Sequence, residues 1–240
     1  MAYEFFQYGQ PHPCLVVNPQ PSLPTMTIPI AGVPRGGTTM VAAAVHALGV
    51  DLGPAKDFGA HTFEDQSMNG ELHTRLSYIK RRNAERQVWG WKDPTAIVSM
   101  RELFFALRNP RLILVFRDMM ATIDSEMRFD EAMSIEPRRS FADLAEATTN
   151  WWASNMEFIS RTTFPTLLVS YERALQHPET FVNQLAAFLG LTPTQEQVQE
   201  AMIRINPRGG YLKMDEQGQP IRVLEPPTET VPEAQPLPPG

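Results

Sequence analysis

One short stretch constrains the fold more than any other. Residues 27–33, TIPIAGV, form an apolar run that passes directly into Pro34-Arg35-Gly36-Gly37-Thr38-Thr39-Met40. From residue 38 to residue 48 the apolar positions follow a helical period, which stops at Gly49. A buried strand delivered through adjacent glycines into a helix is the opening move of a parallel α/β unit. Adjacent glycines also let backbone N–H groups approach an anion, and the positive end of the helix adds to that pull. The stretch therefore predicts a sheet topology together with an anion-binding point at the carboxyl end of the strand.

The rest of the chain continues the alternation. Patterning predicts helices over 64–83, 100–107, 119–128, 140–161, 178–189 and 194–205. Strands are predicted over 87–91, over 111–116 (RLILVF, bounded by Pro110) and over 166–169. Strands separated by helices imply a P-loop-like three-layer α/β/α domain with a central parallel sheet. Prolines punctuate both ends. Residues 1–26, with Pro11, Pro13, Pro19, Pro21 and Pro24, are expected to be an irregular arm, and 27–212 the domain. Residues 213–240, with prolines from Pro226 to Pro239, are expected to be an extended tail outside any core.

Bulk properties narrow the partners. A formal charge of −6 argues against a broad nucleic-acid footprint, so basic groups that hold an anion must be gathered locally. The single cysteine, Cys14, allows neither an intramolecular disulfide nor an all-cysteine metal site, which favours the cytoplasm. The start MAYEFFQYGQPHP has no basic segment leading into an apolar run, and no stretch reaches the ~18 apolar residues of a membrane span. His12, His46, His73 and His177 lack a metal-ligand spacing, so no metal site is expected.

The glycine loop carries further chemistry. Gly32 and Gly37 have the spacing of the nucleotide triphosphatase loop, and Thr39 fills its Ser/Thr position. The lysine between them is replaced by Thr38, and the cation stands at Arg35 instead. A cradle that moves its cation suits a phosphorylated donor other than a triphosphate. A second run, RLILVFRDMMATIDSEMR, puts Arg117-Asp118 after an apolar strand and Ser125 two turns into the next helix. An arginine there offers a planar fork to a terminal phosphate. A structural Arg-Asp pair and an ordinary helix serine are the plainer readings of the same residues.

PRGGTT resembles the 5′-phosphosulfate loop P-[KR]-x-G-T-T of sulfotransferases that use 3′-phosphoadenosine 5′-phosphosulfate (PAPS), and Arg117 to Ser125 resembles their [RK]-[DN]-x(6)-S segment. The resemblance implies that Gly36, Gly37, Thr38 and Thr39 cradle the 5′-phosphate while Arg35 contacts it and the bridging oxygen. Arg117 and Ser125 would bind the 3′-phosphate. The block from Lys92-Asp93-Pro94 to Arg128 is similar to one in tyrosylprotein sulfotransferases and related bacterial enzymes, which makes Lys92 a ligand of the sulfuryl oxygens. Val169-Ser170-Tyr171-Glu172 resembles the family's V-x-Y-E stretch, although Ala174 stands where an acid is usual. Tyr171 would then line the donor pocket, a buried structural tyrosine being the alternative. Arg208-Gly209 matches only part of a C-terminal Arg-Lys-Gly that closes on the donor. Phe63-Glu64-Asp65 is similar to the F-E-[DE] segment that holds the base in several branches. Glu64 is the first candidate, Asp65 the second and His61 the third, and both acids are also ordinary helix-start carboxylates.

The resemblance implies in-line transfer of a sulfuryl group from PAPS to an acceptor hydroxyl or amine, with release of adenosine 3′,5′-bisphosphate and no metal. Two other readings stay open. A P-loop kinase or nucleotide hydrolase is disfavoured because the RLILVF strand ends in Arg117 rather than a magnesium-binding aspartate. A non-catalytic PAPS- or nucleotide-binding protein would keep the cradles and lose turnover. Small-molecule, carbohydrate and peptide acceptors are all compatible, as is a homodimer. Residues 129–139 are the expected variable segment facing the acceptor.

Overall fold

The computed structural model describes residues 12–53, 63–205, 213–214 and 220–221. Its central sheet has five strands: β1 (Cys14–Val17), β2 (Met26–Ala31), β3 (Val88–Lys92), β4 (Leu112–Phe116) and β5 (Thr166–Ser170). Their order is β1-β5-β4-β2-β3. The four strands from β5 to β3 run parallel, and β1 lies antiparallel on the edge against β5.

Helices cover both faces. On one side pack α1 (Thr38–Ala47), α7 (Pro178–Leu189) and α8 (Gln195–Arg204), against Ile28, Ile30, Ile113, Val115, Leu167 and Val169. On the other, α2 (Leu72–Glu85), α3 (Met100–Leu103) and α5 (Phe141–Arg161) meet Ala31, Trp89, Trp91, Leu112 and Leu114. The remaining helices are α4 (Met119–Ala132), which packs on α5, and α6 (Tyr171–Gln176), which leads from β5 toward α7. A two-residue ribbon, β6 (Lys213–Met214) with β7 (Pro220–Ile221), completes the described chain. No described helix is long and apolar enough to cross a membrane.

The expected three-layer architecture is present, with local differences that have physical causes. The sheet is mixed rather than wholly parallel, because Cys14–Val17 forms a strand inside the stretch expected to be irregular. The prolines flank those four residues without interrupting them, so their N–H groups remain available to β5. The helix expected from residue 64 is divided. Gln66–Met68 forms a 3-10 turn capped by Asp65, and α2 starts only after Gly70. The third predicted helix is four residues of α3 continued by the 3-10 turn Phe104–Ala106. The chain then turns at Asn109, which has φ 45, ahead of Pro110. Elsewhere the end signals act as written. Ser140 with Asp143 and Thr194 with Gln197 form capping boxes, and Gly190 closes α7 in the left-handed region.

Candidate functional site

The glycine loop leaves β2 at Gly32, on the edge where β3, β4 and β5 also end. A Cβ at Gly32 would lie 2.7 Å from the Val115 carbonyl oxygen, so the loop starts in direct contact with β4. The Gly36 N–H donates to the Val33 carbonyl at 2.8 Å, closing a tight turn with Arg35 at φ 58. A non-glycine residue in that region is strained, which marks a backbone held by its surroundings. Gly37 has φ 89, and a Cβ on it would fall 2.2 Å from a ring carbon of Tyr171. Gly37 is also the N-cap of α1 and has no side chain to cap the first turn. The helix thus presents its amino end to the loop without a competing side-chain acceptor.

Arg117 follows β4 and ties the next strand end to this loop. Its Nη1 donates to the Arg35 carbonyl oxygen at 2.9 Å, and its guanidinium carbon lies 4.9 Å from the centre of the Tyr171 ring. Tyr171, the first residue of α6, therefore touches both Gly37 and Arg117. The Arg117 Nε is buried with no hydrogen-bond partner among the described residues, leaving donor capacity on the guanidinium. Asp118 caps α4 by accepting from the Ala121 N–H at 2.8 Å, and its own N–H donates to Glu172 at 2.9 Å. Ser125 is on the buried side of α4 with Thr122, Ile123 and Asp130. A cavity of about 280 Å³ opens beside Arg117, lined by Phe116, Met119, Trp152, Ser170 and Glu172 among others.

On the opposite flank, Lys92 ends β3 in register with Ile30. Its side chain is 3% exposed, and Nζ donates to Glu64 Oε1 at 2.5 Å. Burial pushes the ammonium below the ordinary lysine range. Glu64 opposes that shift, and the nearby positive charge of Arg35 adds to it. The turn after Lys92 is held to β2 by the Asp93 N–H donating to Ile30 and by Pro94 accepting from the Gly32 N–H. Asp93 also accepts from the Thr95 N–H and hydroxyl, each at 2.8 Å.

The two adjacent acids are treated differently by the fold. Glu64 is partly exposed beside Lys92, whereas Asp65 is 2% exposed. Asp65 Oδ1 accepts from the Ser67 N–H at 2.9 Å, and Oδ2 accepts from the Tyr78 hydroxyl. Burial and this carboxylate together push the Tyr78 hydroxyl well above the ordinary tyrosine range, so it stays a donor. His61 and Arg208 lie outside the described residues. Among the described residues no group of histidine, cysteine, aspartate and glutamate could hold a metal ion.

Two contacts had no counterpart in the sequence reading. The Arg35 guanidinium carbon lies 4.7 Å from the centre of the Phe129 ring on α4, which brings the second half of that helix to the loop cation. Asn155, on the buried stripe of α5, donates from Nδ2 to the Gly32 carbonyl at 3.0 Å. Its signal in the sequence is an amide within an apolar helical stripe that includes Leu144 and Ile159.

Comparison with known proteins places this geometry among relatives. Residues 26–206 match the family model described as the sulfotransferase domain. Among solved structures the chain is similar to sulfotransferase STF1 from Mycobacterium tuberculosis H37Rv, with 15% identity over 75% of this chain and 71% of that one, and a TM-score of 0.52. It is similar to a sulfotransferase from Alicyclobacillus acidocaldarius, at 14% identity, 70% and 83% coverage and a TM-score of 0.52. It is also similar to mouse sulfotransferase SULT7A1 complexed with PAP, at 11% identity, 77% and 65% coverage and a TM-score of 0.51. At these identities the structural likeness concerns the fold. No curated protein sequence matches the chain.

Proposed function

The chain belongs to the sulfotransferase domain family, and from that premise we propose that it moves the sulfuryl group of PAPS to an acceptor hydroxyl or amine by in-line displacement. One observation carries the reading. A single anion loop is flanked by a cation on each side: Arg117, bonded to the Arg35 carbonyl, and Lys92, bonded to Glu64.

In this reading the loop from Arg35 to Thr39 and the amino end of α1 hold the 5′-phosphosulfate. Arg117, with spare donors and a fixed place against Tyr171, binds the 3′-phosphate together with Ser125. We assign the base to Glu64, because both oxygens of Asp65 are already engaged by Ser67 and Tyr78. Glu64 takes the acceptor proton as the new bond to sulfur forms. The bond between sulfur and the bridging oxygen breaks, its electron pair stays on the leaving 5′-phosphate, and Arg35 offsets the charge that builds there. Lys92 holds Glu64 in place and donates to the sulfuryl oxygens. These cations supply the positive charge that magnesium supplies in kinases. The Phe129 ring against Arg35 makes α4 and residues 129–139 the wall that meets the acceptor.

Titration calorimetry with adenosine 3′,5′-bisphosphate tests the donor site. The native chain should bind it, and Arg117→Ala should weaken binding by about 2–3 kcal/mol, the loss of charged hydrogen bonds. Absence of binding by the native chain, or equal affinity in Arg117→Ala, would overturn the assignment.

A further inference from the structure

Asn155 occupies an unusual position for an amide. It is 0% exposed in the interior of α5, on the buried stripe that also holds Leu144, Thr148 and Ile159. Its Nδ2 donates to the Gly32 carbonyl, 123 residues earlier in the chain, at 3.0 Å. Its Oδ1 is buried without a hydrogen-bond partner among the described residues. A buried acceptor left unpaired is destabilising, and an apolar residue of similar shape would avoid that cost. The polar contribution of the side chain to the described structure is thus its one made bond.

That bond acts on the peptide that sets the course of the anion loop. Gly32 is the junction between β2 and the loop, and three elements hold it. The Gly32 N–H donates to Pro94, in the turn that follows Lys92, at 3.1 Å. The Gly32 carbonyl accepts from Asn155. Its Cα is pressed against β4, where a Cβ would meet the Val115 oxygen. The Lys92 turn and the Arg35 loop thus meet at one residue, through the two peptides that flank the Gly32 Cα, and Asn155 fixes the second of these, the Gly32–Val33 peptide. Rotation of that peptide would swing Arg35 and its neighbours away from Lys92, and displacements near 1 Å are enough to slow transfer.

We infer that Asn155 is a positioning residue for sulfuryl transfer, holding the anion loop and the Lys92 turn in one frame through Gly32. The inference rests on the sulfuryl-transfer reading and adds to it a residue that touches neither donor nor acceptor. It is tested with Asn155→Leu, which keeps the branched heavy-atom skeleton and removes the donor. The control is Asn83→Leu, which removes another structural amide, one that donates to Ala106 at 2.8 Å and accepts from Trp89 at 2.9 Å. Asn155→Leu should bind adenosine 3′,5′-bisphosphate roughly tenfold more weakly and lower kcat roughly tenfold or more, with the acceptor KM unchanged. Asn83→Leu should lower the unfolding midpoint and leave nucleotide affinity and kcat per folded molecule as in the native chain. If Asn155→Leu does not fold, Asn155→Ala carries the same comparison without added bulk. Native affinity and kcat in the folded variant would overturn the inference, as would failure of both variants to fold, since the side chain would then be purely structural. Failure of the native chain to bind the nucleotide is a different result and would sink the sulfuryl-transfer reading itself.

Discussion

The two ends of β3 carry ion clusters built on opposite principles. Near the amino end, Asp51 runs alongside Trp89 and is saturated. Its Oδ1 accepts from Arg82 at 2.8 Å and from the Gly53 N–H at 2.9 Å, and its Oδ2 accepts from Arg86 at 2.6 Å. Burial alone would raise this carboxyl, but the bonds from Arg82 and Arg86 outweigh it and hold the group well below the usual carboxylate range. At the carboxyl end, Lys92 is buried with one carboxylate partner, and its ammonium is pushed down. In the first cluster two arginines and a backbone N–H engage both oxygens of one carboxylate, which is held by the fold. The second is paired one to one, but burial of the ammonium outweighs its partner, with the Arg35 charge nearby. The Asp51 carboxylate is saturated, whereas Glu64 stays partly exposed beside a buried cation.

The largest expected effect lies at the Lys92 end. Glu64→Gln keeps the shape and removes the carboxylate proposed as the base. Turnover should fall by roughly 10²–10⁴, the usual contribution of a positioned base, while calorimetric affinity for adenosine 3′,5′-bisphosphate stays within twofold of native. Unchanged turnover would take Glu64 out of the base role and dissolve the contrast with Asp65.

Asp51→Asn probes the saturated end and should show the reverse pattern. Chemical denaturation should reveal a loss of about 1–3 kcal/mol, since Arg82 is left buried without its carboxylate, with no change in nucleotide affinity. The sign with pH follows from the depressed carboxyl. Its contribution is full above the ordinary aspartate pKa and disappears as pH falls through the lower folded value, so native and variant stabilities should converge in acid. Equal stability of the two chains at neutral pH would show that the cluster does not hold the fold.

Much of this was legible before any coordinates. The apolar run into PRGGTT announced β2, α1 and the parallel sheet, because glycine spacing and helical period are local properties. The span of α5 was legible for the same reason, from its amphipathic period and the Ser140 cap. What escaped depends on distant partners. Strand β1 forms because β5 offers an open edge, which no feature of CLVV announces. The division between Glu64 and Asp65 is made by Lys92 and Tyr78, respectively 28 and 13 residues away. Asn155 reads as an odd amide until its bond to Gly32, across the sheet, is seen. The stack of Arg35 on Phe129 likewise needs the packing of α4 against α5.

The smallest effect tests the same contrast through protons. Burial disfavours the Lys92 ammonium more than Glu64 sustains it, so Lys92 loses its proton at lower pH in the folded chain than in the unfolded one. If the cation assists transfer, kcat/KM should decline on the alkaline side below the ordinary lysine pKa. Stability moves the other way. Between the two pKa values the unfolded chain binds more protons, so folding becomes more favourable as pH rises. Activity and stability should therefore part company in alkaline solution, which no saturated cluster such as that of Asp51 would produce there. Lys92→Arg separates this from titration of the acceptor, because a guanidinium remains charged throughout the range. Its alkaline limb should shift upward or vanish, whatever the fall in absolute rate. An alkaline limb that stays in place in Lys92→Arg would show that another group sets it, and Lys92 would then join Asp51 as part of the architecture.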